Sequence, residues 1–286
     1  AKGLAHIGVI KVLEDHGIVP QLVSGTSIGA LIGALYLLHD DIRSVETIAM
    51  GFEKSSLYPY LSPRPSSSGL ISEKGIQSFL NGFFAKQRIE SLTRPFFCPA
   101  TDLRHGREVM FARGSLLQAV RASISIPVIF KPVRLRRSYL VDGGLINPVP
   151  VDVLKKNGSD FTIAVNVITQ LPARIRRRRK TSLKEKMLLA RLDDFLSRKL
   201  IFGPADKEPN LIEAFLATIE VMQQKLIAAR LENDAPDAII HVDTHDFKLL
   251  EFYRPAAIIR RGEEAARREI KTLLGQWRRR RDAGKS

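Results

Sequence analysis

Gly25-Thr26-Ser27-Ile28-Gly29 places a serine between two glycines at the spacing of a nucleophile elbow. In that device the serine sits on a strained turn between a strand and a helix, with its hydroxyl lifted clear of the sheet. The glycines avoid steric clash at the turn, and the helix that follows aims its first N–H groups at any negative charge that develops. A nucleophilic serine also needs a base. Asp142-Gly143-Gly144 supplies a carboxylate on a tight Asp-Gly turn, although such turns are common without any chemistry. Two arrangements stay open on the residues alone. Asp142 acts by itself, or it works with His241 or His245 in the order serine, acid, histidine. The second is disfavoured because only 26 residues precede Ser27 and no HGGG-type oxyanion loop is found.

The elements that must position these groups can be read from periodicity. Residues 1–17 carry Leu4, Ile7, Ile10 and Leu13 at helical spacing, with Gly17 as a stop. Pro20–Ser24 reads as a short strand and Ile28–Leu38 as a strongly apolar helix. Residues 51–70, rich in Pro, Ser and Gly, read as a loop or flap. A helix is expected over Glu73–Phe84, strands over Pro95–Thr101 and Glu108–Phe111 around a turn at His105-Gly106, and a helix capped by Ser115 through Ala122. Ser138–Val141 is a short strand that delivers Asp142. Phe161–Val167 is an apolar run of the kind buried on both faces. Residues 181–235 read as a helical insertion, broken at Gly203-Pro204. A last strand at Ala238–Val242 and a closing helix from Pro255 to Trp277 complete the chain. Alternating strands and helices imply a three-layer α/β/α sandwich with a mostly parallel central sheet, forming one domain over 1–286.

Taken together, the motifs resemble the patatin-like phospholipase family. The resemblance rests on AKGLAHIGVIKVLEDHGI, on GTSIG, on Ala122-Ser123-Ile124-Ser125-Ile126-Pro127 through Phe130-Lys131-Pro132-Val133, and on the Asp142-Gly143-Gly144 turn. Bacterial members are the most similar in size and simplicity. The resemblance implies a Ser27–Asp142 dyad acting through an acyl-enzyme, with phospholipids or related lipid esters as substrates and without metal or organic cofactor. It also makes Ala1, Lys2 and Gly3 the tail of a glycine-rich oxyanion motif. The first strand and the leading glycines of that motif are then expected ahead of residue 1, and the chain without them is expected to be poorly active. A catalytically silent lipid- or protein-binding relative is the alternative.

Composition narrows the partners. The chain has 286 residues, 44% of them hydrophobic, with a formal charge of +15 and one cysteine, Cys98. A lone cysteine excludes a disulfide framework and a zinc ribbon and suits a reducing, cytoplasmic setting. The longest apolar run, Ile28–Leu38, is far short of the roughly 20 residues that span a bilayer. The positive excess, concentrated at Arg174–Lys180 and Arg278–Arg281, points to an anionic partner. A solvated loop and a frayed tail are the plain reading of those runs. No nucleic-acid module accompanies them, so an anionic membrane surface, with peripheral attachment, fits better. His241, Asp243 and His245, with Asp246 beside them, alternate as metal ligands on a strand could, although a polar strand end is the commoner meaning. Gly3 and Gly8 lack the lysine and hydroxyl of a phosphate loop. Leu57, Tyr58 and Tyr60 could touch acyl chains or simply anchor the loop. Oligomeric state is not legible.

Overall fold

The computed structural model describes residues 1–52, 60, 63–66, 69–168 and 210–283. Leu57, Tyr58, the Arg174–Lys180 run and residues 181–209 of the expected insertion lie outside the described residues.

A single 3-10 turn, Lys2–Leu4, leads into helix α1 (Ala5–Asp15). Gly17, at φ 75°, ends it in the left-handed conformation that glycine adopts without strain. Strand β1 (Val23–Ser24) then runs into helix α2 (Ile28–His39), whose residues from Ala30 to Leu37 are all buried, as a helix apolar on every face must be. Helix α3 (Ile42–Met50) follows, capped by Asp41. Within the expected flap lie β2 (Pro63–Ser66) and β3 (Gly69–Ile71), paired antiparallel. Tyr60 is an anchor there, its ring 5.7 Å from that of Phe79 on helix α4 (Glu73–Phe84).

The central strand is β4 (Phe96–Asp102), buried along its whole length. It pairs parallel with β1 and antiparallel with both β5 (Arg107–Phe111) and β7 (Ser138–Asp142). Helix α5 (Leu116–Ser123) lies between them in sequence, capped by Ser115, and β6 (Val133–Leu135) borders β7. Helix α6 (Val151–Lys156) leads to β8 (Ile163–Asn166), which pairs parallel with β9 (Ala238–His241) in a separate two-stranded sheet. Helix α7 (Leu211–Asp234), entered through an Asn210–Glu213 capping box, is the described part of the insertion. Helix α8 (Pro255–Ala283) closes the chain.

The sandwich with helices on both sides of the strands is as expected, but pairing within it is mixed rather than mostly parallel. The reason is local: β4, β5, β6 and β7 are joined by connections that reverse direction, and only β1–β4 and β8–β9 run the same way. The helix α1 packs against α8 with almost no space between backbones. A methyl group on Gly8 would sit 2.0 Å from the Ile259 carbonyl oxygen, and one on Gly262 would sit 1.9 Å from that of Ala5. Gly8 therefore serves this close crossing.

Candidate active site

Strand β4 aligns the two strands that deliver the candidate groups and sets their spacing. Ser24 of β1 stands opposite Phe97, and Asp142 of β7 stands opposite Ala100. The chain leaves β1 through Gly25, whose N–H donates to the Phe97 carbonyl, and turns sharply at Ser27. That residue has φ 55° and ψ −125°, a conformation costing a non-glycine residue on the order of 1–3 kcal/mol. The two glycines of the pentapeptide are not equivalent. A methyl on Gly25 would come within 2.4 Å of the Gly29 carbonyl oxygen, whereas one on Gly29 would meet only the His6 ring, at 3.7 Å. Only the first glycine is sterically required.

Ser27 Oγ donates to Asp142 Oδ2 across 2.6 Å, joining groups 115 positions apart. Asp142 is 2% exposed. Its other oxygen accepts from the Gly144 N–H at 2.7 Å, and its carbonyl accepts from the Thr101 hydroxyl at 2.8 Å. Burial pushes its carboxyl up from the ordinary value to about 6, opposed by the bonds from Ser27 and Gly144. Gly143 is fixed by proximity: a methyl there would lie 2.3 Å from the Pro99 carbonyl oxygen. The side chain of Gln223 on α7 comes close over Gly144.

The ASISIP segment holds both loops at once, a role its unusual sequence does not disclose. The Ser27 N–H donates to Ser123 Oγ at 3.0 Å, and the Asp142 N–H donates to the Ser125 carbonyl at 2.9 Å. Ser125 is in turn gripped by the buried Arg121 guanidinium, which also donates to the Lys131 carbonyl. Asn147 completes the frame. Its carbonyl accepts from the Thr26 hydroxyl, its N–H donates to the Gly143 carbonyl, and its side-chain amide donates to Asp152 and Glu108. Neither Ser123 nor Asn147 stands out in the sequence. The only signals are the length of the ASISIP string and the nearness of Asn147 to the Asp-Gly-Gly turn.

The N–H of Ile28 opens α2 and donates to no group among the described residues. It lies where an elbow offers a donor to an oxyanion. Gly3 packs against Ile28 so closely that a methyl would come within 2.5 Å of Ile28 Cγ2. Lys2 forms an ion pair with Glu220 of α7, and the buried Ala1 amine donates to the Leu249 carbonyl. Ala1, Lys2, Gly3, Ser27 and Asp142 all line one cleft of about 2160 Å³, bordered by β1 on one side and β8 on another.

The histidines weighed beside Asp142 are engaged elsewhere. The His241 ring lies 3.3 Å from the Asn166 amide, and His245 pairs with Asp243 at 2.5 Å and Asp246 at 3.0 Å. Among the described residues no three histidine, cysteine or acidic side chains converge as metal ligands. Cys98 is buried, its thiol pushed up to about 12 by desolvation, so it is no nucleophile.

The family model described as patatin-like phospholipase matches residues 1–155. An uncharacterised NTE family protein of Mycobacterium tuberculosis is 32% identical over 271 residues, covering 93% of this chain and 44% of that protein. Lysophospholipase NTE1 of Pyricularia oryzae is 33% identical over 171 residues, 58% of this chain and 11% of that protein. The chain thus spans less than half the length of these curated relatives. The solved structure of VipD from Legionella pneumophila overlays with a TM-score of 0.47 at 12% identity, covering 95% of this chain and 65% of that one. The match includes both the Ser27 elbow and the Asp142 turn: the chain belongs to the patatin-like phospholipase family.

Proposed function

We propose that the chain is a lipid acyl hydrolase in which Ser27 is the nucleophile and Asp142 the only side-chain base. The observation that carries this reading is the 2.6 Å bond from the Ser27 hydroxyl to a buried carboxylate that no imidazole touches. Asp142 takes the hydroxyl proton as Ser27 Oγ attacks the ester carbonyl. The tetrahedral oxyanion gathers at the Ile28 N–H and the positive end of α2. Collapse expels the alcohol, which receives the proton from Asp142, and leaves an acyl-serine. Asp142 then deprotonates water, which releases the fatty acid and restores the serine. A carboxyl at about 6 is ionised near neutrality yet basic enough to share a proton.

The family and its lysophospholipase-named relative support phospholipids or lysophospholipids as substrates. The +15 charge supports work at an anionic membrane surface. Among the described residues no helix is long and apolar enough to cross a membrane, which fits peripheral attachment.

A fluorophosphonate probe tests the assignment. The chain is expected to label at Ser27, and Ser27→Ala and Asp142→Asn are each expected to abolish both labelling and release of fatty acid from lysophosphatidylcholine. Labelling that survives in Ser27→Ala, or an intact-length wild-type protein that takes no label, would refute it. The latter result would favour a silent binding protein.

A further inference from the structure

His6 lies outside both motifs, yet its ring stands between the Lys2–Leu4 turn, β8 and the first turn of α2, which the N–H of Ile28 opens. Its Nδ1 is 2.6 Å from the Gly3 carbonyl oxygen, an atom that can only accept, so the proton resides on Nδ1. The same ring faces the Val165 carbonyl on β8 and lies beside Gly29 in the first turn of α2. Gly3, held by this bond, presses directly on Ile28. His6 and Ser27 line the same cleft. Burial lowers the imidazole below its ordinary value, against the opposing pull of the Gly3 and Val165 carbonyls.

We propose that His6 is a positioning residue for the oxyanion donor, its Nδ1–H bracing the Lys2–Leu4 turn against the first turn of α2 so that the Ile28 N–H keeps its aim. This rests on the acyl hydrolase reading above. His6 does not touch the reacting atoms. It acts through Gly3, whose carbonyl it holds and which lies against Ile28. A catalytic group displaced by about 1 Å loses on the order of a hundredfold in rate, so a brace at this point is felt in turnover more than in binding.

The full chain carrying His6→Ala or His6→Asn tests the assignment. The readouts are steady-state hydrolysis of a p-nitrophenyl ester, the fluorophosphonate labelling rate and the thermal midpoint. In His6→Ala, kcat and labelling rate are expected to fall by about a hundredfold while KM stays within about twofold, the pattern of an interaction needed only in the transition state. Asparagine, which bonds readily to a backbone carbonyl three residues back in a helix, is expected to recover most of the loss. An unchanged kcat in His6→Ala, a rise in KM alone, failure of asparagine to rescue, or loss of the folding transition in both variants would each overturn the proposal. An intact-length wild-type protein that takes no label overturns the hydrolase reading and this one with it. A labelled wild type beside an unaffected His6→Ala overturns this one alone.

Discussion

Asp142 retains its proton up to about pH 6 because its carboxyl is buried and the bonds from Ser27 and Gly144 only partly offset the cost of its charge. Two outcomes follow at the residue scale. The kcat/KM profile is expected to rise with pH through about 6 and then level off, as the base form fills; a profile flat from pH 5 to 8 would contradict it. Stability runs the other way. The folded value lies above the unfolded one, near 3.8, so the stabilising contribution is complete below about 3.8 and disappears as pH climbs through about 6. A shift of this size corresponds to roughly 3 kcal/mol. Asp142→Asn, neutral throughout, is expected to be more stable than wild type at pH 8 by about 1–2 kcal/mol, since the lost carboxylate bond to Ser27 takes back part of the gain. Urea denaturation at pH 4.5 and 8 measures it. Ser27 offers a parallel case. Glycine accepts its φ of 55° freely, but Ser27→Gly also strips the buried Asp142 oxygen of its donor, so the strain relieved and the bond lost are expected to leave stability within about 1 kcal/mol of wild type while labelling is abolished. Type and spacing mark Ser27 as a candidate nucleophile, whereas Asp142 is one candidate base among others until the family resemblance pairs the two. The strained turn follows from the elbow pattern, but the size of the shift in Asp142 acidity does not, because it arises from packing between segments far apart in the chain.

Among the elements, the segment from α5 to β7 is the joint between nucleophile and base. Ser123 is fully buried and supplies the acceptor for the Ser27 N–H. Ser123→Ala removes the hydroxyl without adding bulk and leaves that donor unpaired. The expected cost is about 1–3 kcal/mol in stability, with a fall in kcat larger than the change in KM; thermal melts and steady-state kinetics would read both. Local patterning gave away α1, α2, α4, α5, β4, β5 and β7 because each has a clean apolar rhythm or a cap such as Ser115. It missed α3 and β6, which are short and take their order from neighbours, and it misjudged strand sense. Direction depends on how connections cross the sheet, and periodicity of two is the same for parallel and antiparallel strands. Ser123, Asn147 and His6 escaped for a related reason: each does its work through single polar contacts around the site, which leave no rhythm in the sequence.

For the whole molecule, the charge of +15 makes binding to anionic vesicles an ionic-strength effect. Cosedimentation with phosphatidylglycerol vesicles is expected at low salt and is expected to fall steeply by about 0.5 M, where screening shortens to a few ångströms; binding insensitive to salt, or equal on phosphatidylcholine, would count against it. The close crossing of α1 and α8 ties distant parts of the chain together. Gly8 and Gly262 let the two backbones touch, and Lys11 bonds Glu263 of α8 at 2.6 Å as well as Glu46 of α3. The turn bearing Gly3 leads directly into α1, so the wall beside Ile28 is seated only once α8 is in place. During synthesis on the ribosome, then, the elbow emerges before residues 255–283, for which its surroundings wait. A half-made chain carries the serine without the walls that would make it reactive toward nearby lipid.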